Sequence, residues 1–154
     1  MRWNQGREVI DGLIADGLIQ QVVPSREHAD RLIAQARAHL ASATSICADD
    51  PAGGYAMTYD AARKALTAVL ENQGLRPTTR GGHLAVYQAV RAQLSPPRGD
   101  ILASFDRMRR PRHEVEYPPI DAPELTATDA REDIPKATKL IQLAAQVLED
   151  MSPY

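Results

Sequence analysis

Only one cysteine, one tryptophan and one phenylalanine occur among the 154 residues. The lone Cys47 excludes an intramolecular disulfide framework, and no Cys/His spacing resembles a zinc site, so neither a metal nor another cofactor is expected. Cys47 sits in an Ala-rich helical run, the setting of a buried inert thiol rather than a nucleophile. With aromatics scarce and Ala and Leu abundant, helices packed through small and aliphatic side chains are favoured over a β-sandwich. No Val/Ile/Thr alternation lasts long enough to mark a sheet. Nor does any window approach about 18 continuous apolar residues, and Met1–Glu8 has no apolar signal core. The expectation is a soluble, cytoplasmic protein that does not enter a membrane.

A global charge of one sign is also missing. The formal net charge of −2 is too small to announce a nucleic-acid binder by its field alone. Its distribution is uneven, however. Residues 114–154 hold nine acids and three bases, net −6, which leaves +4 on residues 1–113. That positive side peaks in Phe105–Tyr117, F-D-R-M-R-R-P-R-H-E-V-E-Y, where Arg107, Arg109, Arg110 and Arg112 precede His113, Glu114, Glu116 and Tyr117. Guanidinium forks grip phosphate oxygens bidentately, and an imidazole moves protons near neutral pH. The same residue types also form solvated, salt-bridged helix ends. The stretch is open to both readings.

What the chain has in quantity is helical periodicity. Val9, Ile10, Leu13 and Ile14, continued by Leu18 and Ile19 after Gly17, predict a short glycine-interrupted helix within an N-terminal extension, residues 1–22. Ser25 as N-cap and Glu27 in the first turn start a long helix. Its apolar stripe runs through Ala29, Leu32, Ile33, Ala36, Leu40, Ala43 and Ile46. Pro51–Gly54 reads as a loop before a helix over about 54–73, stopped by Gly74. Leu75–Thr79 reads as a loop, followed by helices over about 82–94 and 99–110 with a break at Ser95-Pro96-Pro97. After an irregular link from Pro118, the last helix begins near Thr126 or Thr128, with Pro135 either a kink or the start of the helix proper. Leu140, Ile141, Ala144, Val147, Leu148 and Met151 form its core face. One domain, residues 1–154, follows: an all-α, up-and-down bundle of four main helices plus the N-terminal helix.

Other candidate residues are fewer. Gly81-Gly82 ahead of His83 lacks a Walker Lys-Ser/Thr and follows no predicted strand, so it reads as helix-start geometry rather than a phosphate loop. A helix N-terminus nonetheless suits His83 to an anionic ligand. Asp60 and Lys64 form an i,i+4 pair in the favourable order. Arg63 borders the apolar face, where it suits a partly buried contact to an acid on another helix. His28 and His39 read as isolated surface or boundary residues.

Five stretches together resemble the HEPN superfamily, the higher eukaryotes and prokaryotes nucleotide-binding domains, in a bacterial stand-alone form. They are A-D-G-L-I-Q-Q-V-V-P-S at 15–25, A-H-L-A-S-A at 38–43, T-Y-D-A-A-R-K-A-L-T-A-V-L-E-N-Q-G-L-R-P at 58–77, G-G-H-L-A-V at 81–86 and F-D-R-M-R-R-P-R-H-E-V-E-Y-P at 105–118. The Y-D-A-A-R-K-A-L…G-L-R-P and R-H-x-V-E-Y-P blocks are the specific parts. The resemblance implies a helical bundle, often dimeric, with motifs of two protomers facing each other across a shared cleft. It further implies RNA cleavage through an Arg-x(4–6)-His motif with a polar residue after the Arg. The implied chemistry is metal-independent: a 2′-hydroxyl attacks the adjacent phosphate, histidine assists proton transfer, and arginine stabilises the phosphorane charge. A nucleotidyltransferase-type or other antitoxin partner is implied as well.

Two registers of that motif fit. Arg107-x5-His113 has the spacing, with Met108 where a polar residue is expected. Arg112-His113 supplies the Arg-polar pair, with Tyr117 in the place of the terminal His, and this register resembles the family's R-N-x-A-x-Y variant more closely. In it the histidine acid/base is absent, and a tyrosine of pKa about 10 is a poor proton shuttle at pH 7. The leading expectation is therefore RNA or nucleotide binding at an arginine-lined cleft of a homodimer. Arg107, Arg112, His113 and Tyr117 are its catalytic candidates, with Arg109, Arg110, Arg63 and His83 as binding residues. The alternatives are an interaction module whose Arg109–Tyr117 stretch forms structural ion pairs, and a metal-independent enzyme using His83 and His113.

Overall fold

Small side chains decide the centre of this protein, whose computed structural model describes residues 3–154. Ala61, Ala62, Ala65 and Ala68 are fully buried along α3 (Pro51–Gln73), and their lack of bulk lets other helices approach closely. Helices α2 (Arg26–Ile46), α4 (Gly82–Leu94), α5 (Gly99–Glu116) and α7 (Ile134–Val147) all pack against it. The chain forms the expected all-α helical bundle. Shorter helices, α1 (Arg7–Ala15) and α6 (Ala127–Glu132), complete the element set. Among the described residues no helix is long and apolar enough to cross a membrane.

The helix boundaries follow from capping chemistry. The Ser25 hydroxyl accepts from the His28 amide at 3.1 Å and starts α2. Asp50 accepts from the Gly53 amide at 2.9 Å with Pro51 in the first turn, so Pro51–Gly54 is the opening turn of α3 rather than the expected loop. Gly74, at φ 82°, ends α3 in the left-handed region that side-chain-bearing residues avoid. Thr126 and Asp129 make a reciprocal capping box at α6. The final helix proper then starts at Ile134, with Pro135 in its first turn.

Three further expectations change. A two-stranded antiparallel sheet joins β1 (Ile19–Gln21) to β2 (Leu75–Pro77), in the register Ile19 opposite Pro77 and Gln21 opposite Leu75. Each strand has three residues, too few for alternation to show. Residues 1–22 are accordingly no purely helical extension: α1 stops at Ala15, Gly17 takes φ 72°, and Ile19 enters the core as strand. Finally, α5 runs to Glu116 through Pro111 instead of stopping near Arg110. An interior proline costs one backbone bond, here at Arg107. Arg107 is exposed, so water can satisfy the freed carbonyl.

A close approach of backbone fixes where α4 begins. Gly81 has the ordinary helical φ of −72°, yet a Cβ there would lie 2.0 Å from the Leu18 carbonyl oxygen. Space, not conformation, demands the glycine. Thr78 reinforces the junction, its hydroxyl donating to the Gly17 carbonyl at 2.7 Å and accepting from the Gly81 amide at 3.1 Å. Gly81→Ala is expected to lower stability by about 1–3 kcal/mol through overpacking. Gly12→Ala, in open space on α1, should instead raise it by up to about 1 kcal/mol through helix propensity. Urea denaturation of the two variants checks both signs.

Candidate nucleic-acid interface

Tyr59 joins three helices at one point. From α3 its buried ring stacks on Phe105 of α5, centroids 5.2 Å apart and 16° from parallel. Its hydroxyl meets Nδ1 of His83, on the first turn of α4, at 3.0 Å. The Arg112 guanidinium of α5 lies 5.4 Å from the centre of the same ring, within cation–π range. Burial, opposed by Arg112, Arg109 and Arg63, pushes the Tyr59 phenol up to about 12. It therefore remains a neutral hydrogen-bonding group.

Above this junction opens a groove of about 510 Å³ lined by Tyr59, Gly81, His83, Leu84, Arg109, Arg110, Arg112 and His113. Arg109, Arg112 and His113 fall at i, i+3 and i+4 on α5, which puts them on one helix face. Two further grooves hold less charge. The one between α1 and α4, about 560 Å³, contains Arg91 and Asp16; the one between α2 and α7, about 410 Å³, contains Arg37. Several cations and two imidazoles together mark out the α4–α5 groove.

His83 is held below its ordinary value near 6.5, first by burial and then by Arg63 and Arg112, with Asp60 opposing. Its imidazole is neutral at pH 7. No buried side-chain nitrogen or oxygen lacks a hydrogen-bond partner among the described residues. Nδ1 is taken up by Tyr59, while the residue itself lines the groove.

Every arginine of the groove also has a carboxylate neighbour on its own helix. Arg109 donates from Nε to Asp106 at 3.0 Å, Arg110 to Glu114 at 3.4 Å, and Arg112 pairs with Glu116 at 2.6 Å. Arg63, expected to reach another helix, instead pairs with Asp60 on α3 through Nε at 3.0 Å. Asp60 sits at the centre of a wider network, 3.6 Å from both His39 and Lys64. The Lys64 ammonium lies 2.8 Å from Nε2 of His39, so His39 is not the isolated residue its sequence position suggests. Hydrogen bonds and charge from Arg63, with Lys64 and His39, hold the Asp60 carboxyl below the usual carboxylate range despite its burial.

The candidates thus divide. Arg109, Arg110, Arg112, His113 and His83 line one groove, and Arg63, outside that lining, acts electrostatically on His83. Arg107 is exposed and lies outside the groove lining, because six residues of helix turn it roughly 120° away from His113. Tyr117 is also outside the lining and 67% exposed, its ring 5.1 Å from that of His113. Tyr59 was not among the sequence candidates, since its helical spacing matches the apolar stripe of α3. Among the described residues no three His, Cys, Asp or Glu side chains converge as metal ligands.

The His83 environment makes folding proton-linked. An unfolded-state imidazole gains its proton near pH 6.5, whereas the native one gains it at lower pH. Stability should therefore be full above about pH 6.5 and fall as pH drops toward the native value. His83→Gln should flatten that dependence in melts between pH 5 and pH 7.5, and Arg63→Ala should raise the His83 midpoint seen by NMR titration.

No protein-family model, curated protein or solved structure matches the chain, so the reading of this groove rests on its residues and their geometry.

Proposed function

We propose that the α4–α5 groove binds the phosphates of RNA or of a nucleotide, with Arg109 and Arg112 as the principal contacts. The observation that carries this reading is the convergence of Arg109, Arg110 and Arg112 with the neutral His83 in one open groove. The carboxylates beside the arginines do not prevent it. An i,i+4 ion pair on a helix is worth about 0.3–0.5 kcal/mol, and a hydrogen bond to a charged group about 1.5–3 kcal/mol. A phosphate that reaches two guanidinium groups at once competes with Asp106 and Glu116, each of which holds only one. We extend the proposal to a HEPN-type homodimer in which two such grooves face a shared cleft, the effector half of a two-component system. For metal-independent cleavage the groove offers His83 and His113 as acid and base, Tyr117 lying outside its lining.

One observation favours a second reading. The three groove arginines, and Arg63 beside them, are already paired within their own helices, as an interaction module with a structural network requires. The two readings differ in what Arg112 does. On the phosphate reading, Arg112→Ala flattens the log–log salt dependence of RNA affinity by about 0.7 on single strands, and Glu116→Gln tightens binding by freeing Arg112. On the structural reading, both variants melt earlier and neither changes RNA affinity. Fluorescence anisotropy across salt concentrations, with melting curves on the same samples, separates them. A wild-type protein that is monomeric by sedimentation would remove the shared cleft.

A further inference from the structure

The rim of the groove carries an aromatic surface that the bundle itself does not use. Tyr117 caps α5, its amide donating to the His113 carbonyl at 2.9 Å. Pro118 and Pro119 follow, and a proline disfavours helical backbone at the residue before it; Tyr117 accordingly takes φ −129°, and the chain leaves the helix at this point. The Tyr117 ring is left 67% exposed. Among the described residues its one aromatic neighbour is His113, 5.1 Å away and tilted by 42°, and His113 is itself exposed and lines the groove. The two rings sit at i and i+4, one above the other on the helix surface. Tyr117 therefore stands at the mouth of the arginine groove, about 7.5 Å along the helix axis from Arg112 at 1.5 Å per residue.

Resting on the phosphate-binding reading of the groove, we infer that Tyr117, backed by His113, is a stacking platform for an unpaired nucleobase, which makes the ligand a single-stranded nucleic acid. Phosphate contacts to guanidinium groups are shared by single and double strands. An exposed ring beside them is of use only to a base free to leave its stack. A duplex presents sugar and phosphate there and gains nothing from the ring. The platform lies off the chain of buried aromatics, Tyr59, Phe105 and Tyr87, which serves the core. Removing it leaves the fold intact.

The test compares two probes, a short single-stranded oligouridylate and inorganic tripolyphosphate, on the full chain and on Tyr117→Ala, Tyr117→Phe and Arg112→Ala. The expected result is that Tyr117→Ala weakens oligouridylate binding about tenfold, equivalent to about 1.4 kcal/mol, and leaves tripolyphosphate binding unchanged. Tyr117→Phe should bind both probes as the wild type does, and Arg112→Ala should weaken both. Single-stranded RNA should also outcompete a duplex of equal length for the wild type but not for Tyr117→Ala. If Tyr117→Ala binds oligouridylate normally while Arg112→Ala is impaired, the platform is wrong and the phosphate groove stands. If Arg112→Ala binds both probes normally, the groove reading fails and the platform with it. If Tyr117→Ala instead lowers the sedimentation coefficient of the free protein and weakens both probes alike, Tyr117 is a contact between subunits and the inference is overturned.

Discussion

The structure depends on the burial of α3. A 23-residue helix surrounded by other helices needs small residues wherever a neighbour's backbone comes near, and Ala61, Ala62, Ala65 and Ala68 meet that need. Polar groups drawn into the same environment must find partners, because an unpaired buried polar group costs more than a hydrogen bond returns. Gln73 and Gln93 do so by exchanging reciprocal amide bonds of 2.6 and 3.0 Å between α3 and α4. Glu71 meets the guanidinium of Arg76 at 2.6 and 3.0 Å. Tyr55 donates to Asp133 at 2.7 Å.

Tyr59 is the point at which this packing constraint becomes a feature of the groove. Its ring belongs to the core through Phe105, while its hydroxyl reaches His83 at the edge. The start of α4 is positioned independently by the tight passage of Gly81 over Leu18. Helix α5 brings its arginines to the same place because Phe105 and Met108 are fully packed and Arg109, Arg112 and His113 lie just beyond that buried face. A histidine so placed is desolvated and surrounded by guanidinium groups, and its neutrality at pH 7 follows from the packing. The binding proposal and the fold therefore share one cause.

Most of the bundle was legible in the sequence. The Ser25 cap, the Gly74 stop and the core face of Leu140, Ile141 and Ala144 are local signals, and local signals survive without tertiary context. The β1–β2 pair was not legible, because three-residue strands separated by most of the chain's first half carry no periodicity. Continuation of α5 through Pro111 was not legible either: the carbonyl that the proline frees, at Arg107, belongs to an exposed residue that water can reach, a tertiary fact. Of the site, the cluster from Arg109 to His113 and the pairing of Asp60 with Lys64 could be read directly. The part played by Tyr59 could not, since a tyrosine in an apolar stripe gains a role only once α4 and α5 are placed around it. The same placement separates Arg107 from its neighbours in the cluster.

On the proposed reading, Arg109 and Arg112 receive phosphate beside the neutral His83. NMR spectra of the arginine Nε–Hε groups and the histidine rings, recorded while single-stranded oligonucleotide is added, test it most directly. The Arg109 and Arg112 resonances and the His83 and His113 rings should shift together and saturably, while Arg37 and Arg91 in the other two grooves stay fixed. Saturable shifts at Arg37 or Arg91, with Arg109 and Arg112 unmoved, would contradict it.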